Sequence, residues 1–261
     1  VYAVEPEPLD TAGAIRFAAA EAGIAERFVA VNGDVFTDLD LTSLIDFHHR
    51  SGAEGSIALT PVEDPSRYGV VPTDESGRVL GFIEKPPADE APTNWFKAGR
   101  YVLEASVLDR IPAGRPVSIE RETFPALVDD GTLFAQGSEA YWVDAGTAAT
   151  YIQVQLDLVN GRRDTKLAAI APDARCEPGA TVASSVVASG AVVGSGAEVQ
   201  RSVIGAGARV GAGAVVVDSV IGADAVVGDD ASVTNFSIIG TSQKVAPGAE
   251  LSAARVPAPD S

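Results

Sequence analysis

An α/β region followed by a parallel β-helix is the architecture predicted for this 261-residue chain, and three observations predict it. Up to about residue 160, apolar stretches alternate with helix-like segments. Beyond that point Gly, Ala, Val and Ser dominate, and aromatic residues almost vanish. Within the second region one pattern returns every 17 residues, the mark of a solenoid.

The boundary is expected at Asn160-Gly161-Arg162-Arg163-Asp164, where Gly can close a helix and the charges favour solvent. This divides the chain into residues 1–161, a linker at 162–167 and a repeat region at 168–255. In the first region, Phe28–Val31 reads as a short buried strand ending in Asn32-Gly33-Asp34. Gly69-Val70-Val71, entered from Tyr68, begins another strand, and Gly77–Pro86 reads as its hairpin partner. A helix is predicted over 148–159, with Ala148, Tyr151, Ile152, Gln155, Leu156 and Val159 on one face. His48 and His49 are placed at the solvated end of a helix closed by Gly52; adjacent helical positions do not share a face, which argues against a paired metal site.

In the repeat region, Ile170, Val187, Ile204, Ile221 and Ile238 form one column at 17-residue spacing. Cys176, Val193, Val210 and Val227 form a second, and Val182, Val199, Val216 and Val233 a third. Three aliphatic positions per coil imply a three-sided prism, with Gly at tight corners and Ala filling a narrow interior. One such coil buries too little to offset its backbone entropy, so the coils must stack. Cys176, in an inward column, is expected to be a buried, inert thiol. The columns resemble the hexapeptide-repeat, left-handed β-helix family over about 168–240. That fold serves acyl transfer, oligomerisation and regulation alike. Residues 162–261 contain no histidine to act as an acyltransferase base.

Composition narrows the function. The net charge is −17, from 36 acidic and 19 basic residues, with no basic stripe to grip a nucleic acid. Short, punctuated apolar runs exclude a membrane-spanning segment. The single cysteine rules out an intrachain disulfide and points to a reducing, cytoplasmic compartment. So acidic a protein would need a cation between itself and phosphates, although −17 also serves plain solubility.

Three constellations could carry chemistry. Asp34 follows a strand end, where α/β sheets bind ligands. Asp144, in Tyr141-Trp142-Val143-Asp144-Ala145-Gly146-Thr147, precedes the predicted helix. Glu84 and Lys85 end the hairpin before Pro86, a pairing able to hold sugar hydroxyls and a phosphate. Taken singly, these read as a strand-to-turn aspartate, a helix N-terminal residue and a surface ion pair. Together, two carboxylates can hold one Mg²⁺ that also takes phosphate oxygens.

Leu9-Asp10-Thr11-Ala12-Gly13-Ala14, VNGD at 31–34, YGVV at 68–71, FIEKPP at 82–87, VSIERETFP at 117–125 and YWVDAGT at 141–147 occur in the order seen in the nucleotide-sugar pyrophosphorylases, also called sugar-1-phosphate nucleotidyltransferases. The guanylyl branch, which acts on mannose 1-phosphate, is the one the chain most resembles. The resemblance implies a Rossmann-like domain with a mixed sheet, incomplete at its N-terminus, ahead of the left-handed β-helix. It implies that Asp34 and Asp144 hold Mg²⁺, with Asp34 and Lys85 catalytic. It implies that Gly69, Glu84, Lys85 and the residue at Lys97 line the sugar-phosphate site, and that Leu9 and Thr11 border the nucleotide. The implied reaction joins a nucleoside triphosphate, GTP in this branch, to a sugar 1-phosphate, giving a nucleotide sugar such as GDP-mannose and pyrophosphate. A homo-oligomer through the β-helix is expected.

The family's Gly-rich phosphate loop would precede Val1, so these residues alone are expected not to turn over. Asp10 stands where the family usually has Gly, and Lys97 where it usually has Asn. Lys lacks the acceptor of an amide. Two alternatives stay open: a catalytically silent subunit that binds nucleotide sugars, and a uridylyl- or thymidylyltransferase of the same superfamily.

Overall fold

The computed structural model describes residues 1–67, 69–163 and 167–258; Tyr68 and residues 164–166 of the linker expected at 162–167 lie outside the described residues. Two compact units emerge, Val1–Trp142 and Val143–Ser261.

In the first unit the elements run α1 (Asp10–Ala22), β1 (Phe28–Val31), β2 (Val35–Thr37), α2 (Leu41–Ser51), β3 (Gly55–Pro61), β4 (Gly69–Val70), β5 (Ile83–Glu84), β6 (Trp95–Leu103), α3 (Ser106–Asp109), α4 (Phe124–Asp129) and β7 (Leu133–Gly137). Local chemistry fixes several ends. Asp40 caps α2 by accepting the Thr42 N–H at 2.9 Å. Gly23 and Gly52 close α1 and α2 in the left-handed conformation.

The sheet is ordered β5-β4-β6-β3-β7, with β1 also on β6. It is mixed: β3 and β7 are parallel, whereas β3 and β1 run antiparallel to β6. The predicted hairpin is present, with Gly69 opposite Glu84 and Val70 opposite Ile83. The central strand β3 is buried over Gly55–Thr60, as a strand covered on both faces must be. Ile57, Tyr101, Leu103, Phe124, Leu127 and Leu133 form the centre of the core.

Two expectations need correction here. Phe28–Val31 is only half-buried, with Val29 and Val31 exposed. It is an edge strand whose sole partner among the described residues is β6, and its alternating burial leaves the face carrying Val29 and Val31 in solvent. His48 is not solvated: its side chain is fully buried, while His49 is exposed. His48 Nδ1 lies 2.9 Å from Ser56 Oγ, and Nε2 lies 3.1 Å from Glu104 Oε1. Burial holds the imidazole below its ordinary pKa, partly offset by Glu104. The neutral ring donates from Nε2 to the carboxylate and accepts the serine proton at Nδ1.

In the second unit α5 (Ala148–Val159) spans the predicted residues, closed by a reciprocal cap between Thr147 and Thr150. Its buried side differs from the expected one: Ile152, Val154 and Asp157 are buried, and Tyr151 is exposed. Beyond it stands a parallel β-helix with three five-stranded sheets. The predicted columns pair coil to coil, for example Val187 with Ile204 and Ile204 with Ile221. Alanines 191, 197, 208, 214, 225 and 231 fill the interior. At the corners a side chain would collide with the next coil: a Cβ on Gly205 would meet Ala223 N at 2.7 Å.

The register slips once. Ile221 pairs with Ile239 rather than Ile238, and Ile239 is the buried residue. Phe236 is the inserted residue, exposed at a corner where it and Asn235 both take positive φ. The coil therefore has 18 residues, and Val227–Val245 and Val233–Leu251 follow the same shift. Cys176 also departs from expectation. It holds its register opposite Val193 yet is exposed, because it lies in the first coil, with no earlier coil stacked on it.

Candidate active site

Residues from four parts of the first unit line one cleft of about 600 Å³. The start of α1 supplies Asp10 and Thr11, the hairpin supplies Gly69, Phe82 and Glu84, β6 supplies Lys97, and the segment after Val117 supplies Ser118, Glu120 and Arg121. Four of the expected substrate residues thus meet: Thr11, Gly69, Glu84 and Lys97.

Each is positioned by local structure. Gly69 and Glu84 face each other across the hairpin, and a Cβ on Gly69 would meet Glu84 Oε2 at 2.8 Å. Only a residue without a side chain lets the carboxylate lie there. Phe82 stacks on Phe124 with ring centroids 5.9 Å apart, and Phe124 meets Tyr101 edge-on, which anchors an apolar wall in the core. Ile119–Thr123 forms a single π-helical turn, begun by Ser118, whose Oγ accepts the Arg121 N–H. Such turns often mark functional positions.

The two departures from the family pattern are both paired. Lys97 Nζ forms an ion pair with Glu120 Oε1. Arg121 Nη2 reaches Asp10 Oδ2 at 3.2 Å. Burial lowers the Lys97 pKa, with Glu84 opposing it. The Thr11 N–H, then Arg121, hold Asp10 below the usual carboxylate range. Asp10 adopts φ 58°, the left-handed region that favours Gly.

The other expected residues lie outside this cleft's lining. Leu9 is buried, accepts the Val117 N–H through its carbonyl at 2.8 Å, and borders a separate cavity of about 380 Å³ beside Arg16 and Phe17. Lys85 is exposed just past the hairpin strand, at φ 44°. Asp34 is exposed in a turn that Arg100 braces, donating to the carbonyls of Asn32, Gly99 and Val35. Burial lowers the Arg100 pKa, and the nearby Asp34 charge opposes this. Asp144, in the second unit, accepts the Gly146 N–H at 2.8 Å through one oxygen. Among the described residues no group of three or more His, Cys, Asp or Glu side chains is placed to hold a metal ion. Nor does any described helix have the length and apolarity to cross a membrane.

Sequence reasoning missed Phe82, Ser118, Glu120 and Arg121 as lining residues. A signal was available: Glu120 and Arg121 carry charges complementary to Lys97 and Asp10.

A nucleotidyl transferase family model matches residues 1–161, more than half of the chain. The chain belongs to the nucleotidyl transferase family. A second model, described as the GMPPB C-terminal domain, matches residues 165–260 of this family member. The mannose-1-phosphate guanylyltransferase of Mycobacterium tuberculosis is 42% identical over 162 residues, covering 61% of this chain and 44% of that protein. The catalytic subunit beta of the Drosophila melanogaster enzyme is 40% identical over 153 residues, or 58% of this chain and 41% of that protein. The chain thus spans less than half the length of these curated relatives. Among solved structures, a putative glucose-1-phosphate thymidylyltransferase from Bacillus anthracis superposes with a TM-score of 0.50 at 21% identity, covering 59% of this chain and 62% of that one; it supports the fold alone.

Proposed function

We propose that this chain belongs to an enzyme that transfers a nucleotidyl group from a nucleoside triphosphate to a sugar 1-phosphate, releasing pyrophosphate. GTP and mannose 1-phosphate are the proposed substrates, on the strength of the relatives' names. The observation that carries the reading is the convergence of Thr11, Gly69, Glu84 and Lys97 on one cleft in a chain matched by this family's model.

The sugar is proposed to occupy that cleft, its apolar face against Phe82 and its hydroxyls on the Glu84 carboxylate. Gly69 keeps the carboxylate in place by leaving it room. Lys85, just beyond Glu84, is proposed to meet the phosphate as a point charge, and Thr11 and Leu9 to border the nucleotide. Holding sugar phosphate and triphosphate in line converts a bimolecular displacement into an intramolecular one.

The assignment of Mg²⁺ to Asp34 and Asp144 rests on the two sequence motifs. Each is an exposed carboxylate, the donor type Mg²⁺ takes, and Asp144 has one oxygen engaged by the Gly146 N–H. Mg²⁺ is commonly held by one or two carboxylates plus substrate phosphates. When bound it would neutralise phosphate oxygens of the two reacting anions. Self-association through the β-helix is likewise proposed, since Ile170 and Cys176 leave the first coil uncovered.

The test is pyrophosphate release by the full-length protein with mannose 1-phosphate, Mg²⁺ and each of GTP, UTP and dTTP. Release with GTP supports the reading, and release with UTP or dTTP alone moves it to another branch. Binding of nucleotide sugar without release points to a silent subunit. The absence of both binding and release would overturn the reading.

A further inference from the structure

We propose that one face of the β-helix is a docking surface for an acidic α-helix of another protein. The face belongs to the sheet built from Arg175–Cys176, Val192–Val193, Arg209–Val210, Val226–Val227 and Lys244–Val245. Coil by coil, Arg175 pairs with Val192, Val192 with Arg209, Arg209 with Val226 and Val226 with Lys244. Successive strand residues point to opposite sides, so these five form the outer row, while Val193, Val210, Val227 and Val245 turn into the core. The three cations are exposed and the two valines half-buried.

The row is bare of competing side chains for a physical reason. Gly194, Gly211 and Gly228 follow the inward valines, and a Cβ on any of them would strike the backbone of the next coil at 2.8 Å or less. Stacking thus keeps a flat shelf beside the cations. Five cations occur between residues 168 and 258, in a chain of net charge −17. Arg201 pairs with Asp218, and Arg255 lies on another sheet, opposite Ile238. The other three stand in line, none with an ion-pair or hydrogen-bond partner for its side chain among the described residues. Carboxylates at the corners are engaged elsewhere: Asp173 accepts from Ser189 at 2.7 Å, and Asp229 from the Ala212 N–H at 2.9 Å. Sequence hides the row, since its cations are 34 and 35 positions apart.

Spacing selects the partner. Strands of a sheet lie about 4.8 Å apart, so cations on alternate coils stand about 10 Å apart. An α-helix brings residues seven apart back to one face at about 10.5 Å. Acidic residues at i, i+7 and i+14 therefore meet the three cations, and apolar residues at i+3 and i+10 fall over Val192 and Val226. An extended strand rises about 3.3 Å per residue, so its same-face positions come at about 6.6 or 13 Å and miss the row. No described helix of this chain has acidic residues seven apart, so the occupant is not one of these helices in a second copy.

Fluorescence anisotropy with a labelled helical peptide tests this. The probe has about 18 residues, with Glu at i, i+7 and i+14 and Leu at i+3 and i+10 in an alanine–glutamine background. A control peptide of the same composition spaces its glutamates five apart, on different faces. The matched peptide should bind the chain saturably, several-fold tighter than the control, and should weaken as salt rises from about 50 to about 200 mM. Arg209→Glu should weaken it about tenfold, since an attraction becomes a repulsion. The same charge change in Arg255→Glu should leave it within about twofold. Lys244→Glu carries the same expectation if Arg209→Glu fails to fold, as thermal melting reports. No saturable binding, equal binding of the control peptide, or equal losses in the Arg209 and Arg255 variants would overturn the proposal. Tighter binding of an oligothymidylate than of the matched peptide would also overturn it, making the row a nucleic-acid contact. Loss of self-association in Arg209→Glu would overturn it too, making the row an interface between copies. The nucleotidyl-transfer reading is independent of every one of these results.

Discussion

The space where a side chain on Gly69 would stand is taken by the Glu84 carboxylate, with Oε2 at 2.8 Å from the position of that Cβ. The two residues face each other in the hairpin register. The clash is with the far end of a flexible side chain, and Gly69 needs no left-handed backbone. Gly69→Ala should therefore fold normally, within about 0.5 kcal/mol of the parent. It should displace Glu84 and weaken sugar-phosphate binding about tenfold, the worth of a hydrogen bond to a charged group. Urea denaturation and calorimetric titration, run on the same sample, separate the two effects.

Gly99 is the opposite case. It takes φ 68°, and a Cβ there would meet Asn32 Nδ2 at 2.9 Å. Its carbonyl also accepts the Asn32 N–H at 2.9 Å. Gly99→Ala combines backbone strain with a clash against the turn that carries Asp34. A loss of about 1–3 kcal/mol in unfolding free energy is expected. A midpoint equal to the parent's would contradict it.

Inside the β-helix, serines recur at one corner of successive coils. Ser202 N donates to Ser185 Oγ, and Ser219 N to Ser202 Oγ, each at 3.0 Å. The Ser185 hydroxyl in turn donates to the Ala183 carbonyl and that of Ser202 to the Gln200 carbonyl, each in its own coil. Ser202→Ala would orphan the buried Ser219 N–H, at a cost of about 1–3 kcal/mol. Thermal melting of that variant should show the loss, and a substitution at the exposed Ser195 should not.

His48 predicts a pH dependence. Its pKa in the folded chain lies below the ordinary 6.5, because burial disfavours the charged ring. Above 6.5 the ring is neutral in both states, and its contribution to stability is complete. As pH falls below 6.5 the unfolded chain takes up the proton first, so stability declines towards the lower folded pKa. Urea midpoints between pH 7.5 and 5.5 should fall for the parent and stay flatter for His48→Gln. Equal slopes would show that His48 does not titrate in this window.

Much of the fold was legible because its causes are local or strictly periodic. The 17-residue columns, the hairpin before Pro86 and the helix over 148–159 follow from side-chain period and from turn residues that act on their own neighbours. What failed depended on company elsewhere. Ile238 fits its column by count, yet one inserted residue, Phe236, hands the inward place to Ile239. Cys176 has the right register but no coil in front of it.

The candidate site divides in the same way. Short motifs in one hairpin pointed to Glu84, Lys85 and Gly69 as the residues proposed above to hold a sugar phosphate. Only the tertiary structure decided that Lys97 meets Glu120 and that Asp10 meets Arg121, across 23 and 111 positions of chain. Such pairings are set by sheet register and by where a helical turn docks. Those are sums over many weak contacts that no local pattern records.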